Sequence, residues 1–185
     1  MVMVKRQAGP GVRRPAASVS ALSRSSTRGW LRLGVLVLPC ALGRNGVRAL
    51  KQEGDGATPL GVMRVSNVLY RRDRLQRPRT ALPLRPIRRE DGWCDAPGDR
   101  NYNRRVQLPY PASAENLWRS DNLYDVVVVL DYNVRPRARN RGSAIFMHLA
   151  RPDYAPTAGC IALQRPHLLR LLSRLVPGSA VTVSS

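Results

Sequence analysis

The stretch Asp125–Asp131, DVVVVLD, decides the fold class. Four consecutive valines and a leucine are apolar at odd and even positions alike, so neither face of a strand there is suited to water. β-branched side chains are stiff at χ1 and suit a pleated surface. The pattern predicts a central strand covered on both sides. Working outward, Ser143–Leu149 (SAIFMHL) is the next expected strand, and Val62–Tyr70 (VMRVSNVLY) is another, kinked near Ser66-Asn67. Trp30–Leu38 alternates weakly and reads as β. Gly43 and the Asn45-Gly46 pair predict a turn, Val47–Leu50 a short return strand and Ala180–Val183 a closing strand. One amphipathic helix is expected over 166–175: apolar residues fall at 168, 169, 171, 172 and 175, Pro166 stands near its start, and Pro177-Gly178 stops it. Pro78, Pro83 and Pro86 make 71–90 irregular. Residues 91–113 read as a long ordered loop, uncommon in a compact domain unless it has a job. The fold class is mainly β, with one late helix.

A chain of 185 residues fits one domain with some tail. It is 43% hydrophobic but holds one Phe, six Tyr and three Trp, so its core leans on Val, Leu and Ile. The formal net charge is +19, and residues 1–52 hold ten Lys and Arg with no acid. Residues 1–28 are rich in Gly, Pro, Ser, Arg and Ala without periodicity, and read as a disordered basic tail ahead of a domain over 29–185. The basic residues form no run of five and carry no aromatic ladder, so specific nucleic-acid binding is not expected. Contact between the basic N-terminus and an anionic polymer stays open. The apolar run Leu31–Leu42 is about 12 residues long and interrupted, short of the ~20 that span a bilayer. It follows a polar preamble, so it reads as a buried strand rather than an export signal.

Three cysteines, Cys40, Cys94 and Cys160, form no CxxC. An odd number argues against a disulfide framework or a cysteine-rich zinc site and fits a free reactive thiol. The segment 142–163, GSAIFMHLARPDYAPTAGCIAL, is the one that points to chemistry. It places His148 at a strand end and Cys160 after a loop of eleven residues, long enough to return alongside. A thiol is mostly protonated at neutral pH and its thiolate is the nucleophile; a neighbouring imidazole can take that proton and hold a thiolate–imidazolium pair. Gly159 lets backbone and substrate approach the sulfur, and the backbone N–H groups over 158–160 can form an oxyanion hole. Thr157 offers a hydroxyl to the substrate or to the loop. Against this stands a plainer reading, a buried core thiol and a structural histidine.

Three segments together resemble the L,D-transpeptidase catalytic (YkuD-like) domain. His148 with Thr157-Ala158-Gly159-Cys160 looks like its catalytic motif, KQEGDGATPLG (51–61) is similar to a Gly-Asp-Gly-x-Thr-Pro segment of that domain, and GWCDAPGDRNYNR (92–104) resembles a stretch of a proteobacterial branch. The resemblance implies a β-sandwich or mixed-sheet fold and a cysteine acyltransferase without metal or organic cofactor. It implies Cys160 as nucleophile, His148 as base, Gly159 and Cys160 amides as oxyanion donors, and Thr157, Ala158, Tyr102 and Asn103 at the substrate. The implied partner is a peptidoglycan tetrapeptide stem, joined to another in a 3→3 crosslink by a monomeric enzyme of the periplasm or cell envelope. Two departures stand out: Ala162 where many members carry Arg, and Ala158 where His, Asn or Glu is common. Arg100, Arg104, Arg151 and Arg165 are candidates to replace the missing Arg, and Asp95 is a candidate to orient His148. Residues 51–61 read first as a structural turn, and Trp93, Tyr102 and Asn103 likewise read as structural before they read as substrate contacts. Two alternatives remain from the sequence: a peptidoglycan peptide hydrolase or amidase using the same Cys-His site, and a non-catalytic cell-wall binding module.

Overall fold

The computed structural model describes residues 14–185. It is mainly β with a single α-helix among the described residues. The strands run in chain order β1 Ala16–Ala21, β2 Arg28–Leu33, β3 Leu36–Ala41, β4 Val47–Arg48, β5 Thr58–Pro59, β6 Gly61–Tyr70, β7 Leu84–Pro86, β8 Asp91–Cys94, β9 Arg104–Gln107, β10 Ala114–Asn116, β11 Val126–Leu130, β12 Phe146–Leu149, β13 Ile161–Leu163 and β14 Ala180–Ser184, with α1 Arg165–Leu172 between the last two.

Nine strands form the main sheet in the order β11-β12-β13-β3-β2-β1-β14-β6-β7, and β6 also pairs with β11, so the pairings run round to their start. The strand expected at the centre is there: all five residues of β11 are buried. Its pleat serves two cores. Val126, Val128 and Leu130 join the larger one with Met147, Leu149, Ile161, Leu163 and the buried face of α1. Val127 and Val129 join a smaller one with Phe146, Leu117, Tyr124 and Cys160. The expected kink in β6 is a register shift against β11, where Val129 faces Asn67 but Leu130 faces Val65, leaving Ser66 extra.

Three expectations need correction. Residues 16–21 are not a tail. Ala17, Val19 and Ala21 point inward, and β1 is sandwiched between β14, parallel to it, and β2, antiparallel. Small alternating residues suffice there because the strand is covered by larger neighbours, so composition masked the period of two. Residues 1–13 of the expected tail lie outside the described residues. Leu31–Leu42 is not one buried strand but part of a tight hairpin of β2 and β3, turning at Gly34, whose φ is +56°. Residues 91–113 are not all loop: β8, flanked by β10 and β9, builds a second, antiparallel sheet. That small sheet covers the face of β12 that carries the site, with Trp93 edge-on against Phe146 at 5.0 Å between ring centroids.

Candidate active site

The site is set by the pairing of β12 with β13. The two run parallel, with His148 opposite Ala162 and Leu149 opposite Leu163. Alternation then directs Phe146 and His148 to the same face as Cys160 and Ala162, while Met147, Ile161, Leu149 and Leu163 turn into the larger core. His148 and Cys160 are diagonal neighbours on adjacent strands, and both line one cavity of about 530 Å³, within the usual size of a ligand site.

Each group is held by its surroundings. The His148 Nδ1 lies 2.8 Å from the carbonyl of Leu149. A carbonyl only accepts, so Nδ1 carries the proton and Nε2 keeps the lone pair. The ring also packs edge-on against Tyr124 at 5.3 Å. The Cys160 thiol donates to the carbonyl of Ala144 at 3.2 Å and accepts from the Phe146 N–H at 3.4 Å. Ala144 has φ +51°, a strained value for a residue with a Cβ. Asn103 Oδ1 secures it by accepting the Ala144 N–H at 3.1 Å.

Burial sets the protonation states. It pushes the Cys160 thiol up to about 12, reinforced by the Glu115 carboxylate and opposed by the Phe146 N–H and Lys51. It pushes His148 down to about 4, opposed mainly by the Leu149 carbonyl. Both shifts favour neutral forms. Burial thus favours the neutral thiol and imidazole over a standing thiolate–imidazolium pair. In water the pair would be less costly to ionise; here the dry wall of Phe146 and Tyr124 disfavours both charges.

The nucleophile loop is clamped by the segment that first read as a plain turn. Thr157 forms a parallel bridge with Gly43, with its N–H on Leu42 O and its carbonyl taking the Arg44 N–H, each at 2.8 Å. Thr58 Oγ1 accepts the Gly43 N–H at 2.8 Å. Gly159 has φ +137°, and a Cβ there would lie 2.8 Å from Ala57 O and 3.5 Å from Lys51 Nζ. Only glycine fits that approach. Lys51 is 3% exposed and pairs with Asp55 at 2.6 Å. Burial works against the Asp55 carboxylate, but Lys51 and the Ala57 and Gln52 N–H groups outweigh it and hold its pKa below the usual range. So 51–58 is structural in its hydrogen bonds, yet Lys51 and Glu53 also line the cavity.

The remaining expected site residues divide. Thr157 and Ala158 line the cavity. The Thr157 hydroxyl serves the loop: it donates to Cys160 O at 2.6 Å and accepts the Gly159 N–H at 3.1 Å. The Gly159 amide is thus engaged within the loop. Tyr102 and Asn103 do not line the cavity and are 2% and 3% exposed. The Tyr102 hydroxyl donates to Glu53, and burial with that carboxylate raises its pKa. Asn103 accepts the Trp93 indole N–H at 3.0 Å and donates to the carbonyls of Tyr132 and Asn133, both at 2.9 Å. Asp95 lines the cavity but does not orient His148, since Leu149 does.

Of the arginines expected to replace the one absent at Ala162, Arg151 lines the cavity and Arg100, Arg104 and Arg165 do not. Arg44 and Arg119 line it too, as do Glu115 and Tyr124. No local pattern pointed to these four, because nothing short-range ties the β3–β4 turn, β10 or the segment after it to residue 160. Tyr124 Oη donates to Glu115 Oε1 at 2.6 Å.

A mixed-sheet domain thus brings a thiol and an imidazole to one cavity. The model of the L,D-transpeptidase catalytic domain (YkuD) matches residues 22–183, and the chain belongs to that family. No curated protein matches the chain in sequence. Among solved structures it is similar to L,D-transpeptidase 1 of Mycobacterium tuberculosis, with 12% identity, a TM-score of 0.40, and 92% of this chain and 63% of that one covered. L,D-transpeptidase 3 of the same organism gives 14%, 0.44, 92% and 62%. An L,D-transpeptidase from Mycobacterium smegmatis gives 13%, 0.43, 92% and 59%. The chain thus spans about three fifths of the length of these structures. Among the described residues no helix is long and apolar enough to cross a membrane.

Proposed function

We propose that this protein is an L,D-transpeptidase that acts on peptidoglycan tetrapeptide stems through a Cys160 acyl-enzyme and forms 3→3 crosslinks in the cell envelope. One observation carries the reading: Cys160 and His148 share a face of adjacent strands in one cavity, with Nδ1 of His148 tied to Leu149 O and the lone pair left on Nε2.

The chemistry follows from that placement. The S–H bond turns from Ala144 O towards Nε2, and the proton leaves as sulfur attacks the carbonyl carbon of the diaminopimelate–D-Ala amide. Because both resting forms are neutral, proton loss and attack occur together rather than in sequence. The Cys160 amide is the donor assigned to the oxyanion, with the Gly159 amide already on Thr157. The imidazolium then protonates the D-Ala nitrogen, the amide C–N bond breaks, and a thioester remains. An amine on a second stem attacks the thioester, and Cys160 regains its proton through His148. Arg44, Arg119 and Arg151 supply positive charge for stem carboxylates in place of the arginine absent at Ala162.

The absent arginine keeps a second reading in play: water as acceptor, giving a peptide hydrolase. Incubation of the protein with disaccharide-tetrapeptide separates the two by mass spectrometry. Crosslinked dimer is the expected product. Tripeptide without dimer would support the hydrolase. No turnover, with undiminished muropeptide binding by Cys160→Ala, would overturn both in favour of a binding module.

A further inference from the structure

The cavity carries charges of both signs. Arg44, Arg119 and Arg151 stand on it with the opposed carboxylates of Glu53, Asp95 and Glu115. Two of the three acids already have partners. Glu53 takes the Tyr102 hydroxyl. Glu115 Oε1 takes the Tyr124 hydroxyl at 2.6 Å and lies 4.0 Å from Arg119. Its other oxygen, Oε2, has no partner among the described residues, and its side chain is 29% exposed. Two further cavity groups are unpaired. Ser143 is 7% exposed and its hydroxyl has no partner, and Asp95 Oδ1 is buried without one. A wall with unspent acceptors beside a nucleophile calls for a polar, positively charged occupant.

Resting on the reading of Cys160 as the acylated nucleophile, the geometry points to Glu115 as the residue that selects an amine over water as acyl acceptor. Glu115 Oε2 pairs with the incoming ammonium group and takes one proton from it. The freed amine nitrogen then attacks the thioester carbon. The new C–N bond forms, the C–S bond breaks, and the second N–H proton passes through His148 to the Cys160 sulfur. One ammonium and one carboxylate thus become one amide nitrogen and one carboxylic acid, which returns its proton to solvent. No other reactant is needed.

Three features suit Glu115 to this role. Tyr124 fixes it, and the same Tyr124 ring packs against His148, so acceptor and base are set in register. Burial raises the Glu115 pKa, countered by the Tyr124 hydroxyl and Arg119 and supported by Asp95 and Glu53, which makes it a better base than a free glutamate. Its charge also opposes formation of the Cys160 thiolate. An ammonium ion neutralises that charge on arrival, which favours departure of the Cys160 sulfur from the thioester. Water brings no such charge.

The test is the partition of one acyl-enzyme. Full-length wild type and Glu115→Gln are acylated with disaccharide-tetrapeptide and offered a stem with a free side-chain amine. The ratio of amine-transfer product to hydrolysed tripeptide is measured from pH 6 to 9. The ratio is internal to the acyl-enzyme, so it does not depend on how fast acylation occurs. We expect at least a tenfold lower ratio for Glu115→Gln near neutral pH. The ratio should recover with an alkoxyamine acceptor, which is already unprotonated. Tyr124→Phe keeps the ring and removes the brace, and should lower the ratio about threefold. An unchanged ratio in Glu115→Gln, or no recovery with the alkoxyamine, would overturn the role of Glu115. Should wild type form no acyl-enzyme at all, the functional reading itself fails, which is a separate outcome.

Discussion

Replacing His148 with asparagine converts the electrostatics of the site into a measurable stability difference. The asparagine amide can still donate towards Leu149 O, but it does not titrate. His148 has its pKa lowered by burial from 6.5 to about 4. A base with a depressed native pKa binds fewer protons folded than unfolded, so its contribution is fully present above pH 6.5 and is lost as pH falls towards 4. At about 1.36 kcal/mol per pKa unit, the loss is about 2 kcal/mol at pH 5 and about 3 kcal/mol at pH 4. Urea unfolding of both proteins at pH 7.5, 6, 5 and 4 gives the two curves. Carboxylates whose native pKa is depressed, such as Asp55 and Asp91, also lose stabilisation as they protonate in acid, but that part is common to both proteins and cancels. The stability difference between wild type and His148→Asn should therefore shrink by about 3 kcal/mol across the range. Parallel curves would refute the buried neutral imidazole. A difference that changes around pH 6.5 but levels off by pH 5.5 would mean that the ring is solvated.

Three further outcomes follow from the clamp around Cys160. Gly159→Ala forces a Cβ to within 2.8 Å of Ala57 O at φ +137° and should cost about 2–5 kcal/mol by chemical denaturation; a loss below about 0.5 kcal/mol would show that the 51–58 segment yields freely. Asp55→Asn strands the Lys51 ammonium, which is 3% exposed, and should lower stability by about 3–5 kcal/mol, with Lys51→Met in the same background restoring most of it. Asn103→Ala removes a side chain that makes four hydrogen bonds and should cost about 2–4 kcal/mol. It should also slow Cys160 acylation, because Ala144 loses the bond that holds the thiol's acceptor carbonyl.

What the sequence disclosed was local, and what it hid was long-range. Val126–Leu130 declared itself because a run of valines has no polar face to offer. The helix was placed within a few residues, since Pro166 and Pro177-Gly178 bracket Arg165–Leu172. β1 was missed because Ala17, Val19 and Ala21 alternate with small residues and look like linker composition. In the site, His148 and Cys160 were found from one segment because a parallel pair of strands and its connecting loop lie within it. Glu115 was invisible, since β10 reaches the cavity only through the second sheet, and Tyr124 with it. Lys51 was read as turn chemistry, yet its reach beneath Gly159 depends on a fold-back that no short-range rule encodes. For Tyr102 and Asn103 the structural reading and substrate contact compete in the sequence, because only the fold shows that both are buried behind the cavity with their polar groups bonded.

The central claim is that Cys160 carries the acyl group during turnover. Wild type, Cys160→Ala and Cys40→Ala are mixed with disaccharide-tetrapeptide, quenched in acid within seconds, and digested for peptide mass mapping. A thioester of the substrate minus D-Ala is expected on the peptide containing Cys160, in wild type and Cys40→Ala alike, and none in Cys160→Ala. An adduct on Cys40 or Cys94, or dimer formed by Cys160→Ala at the wild-type rate, would contradict it.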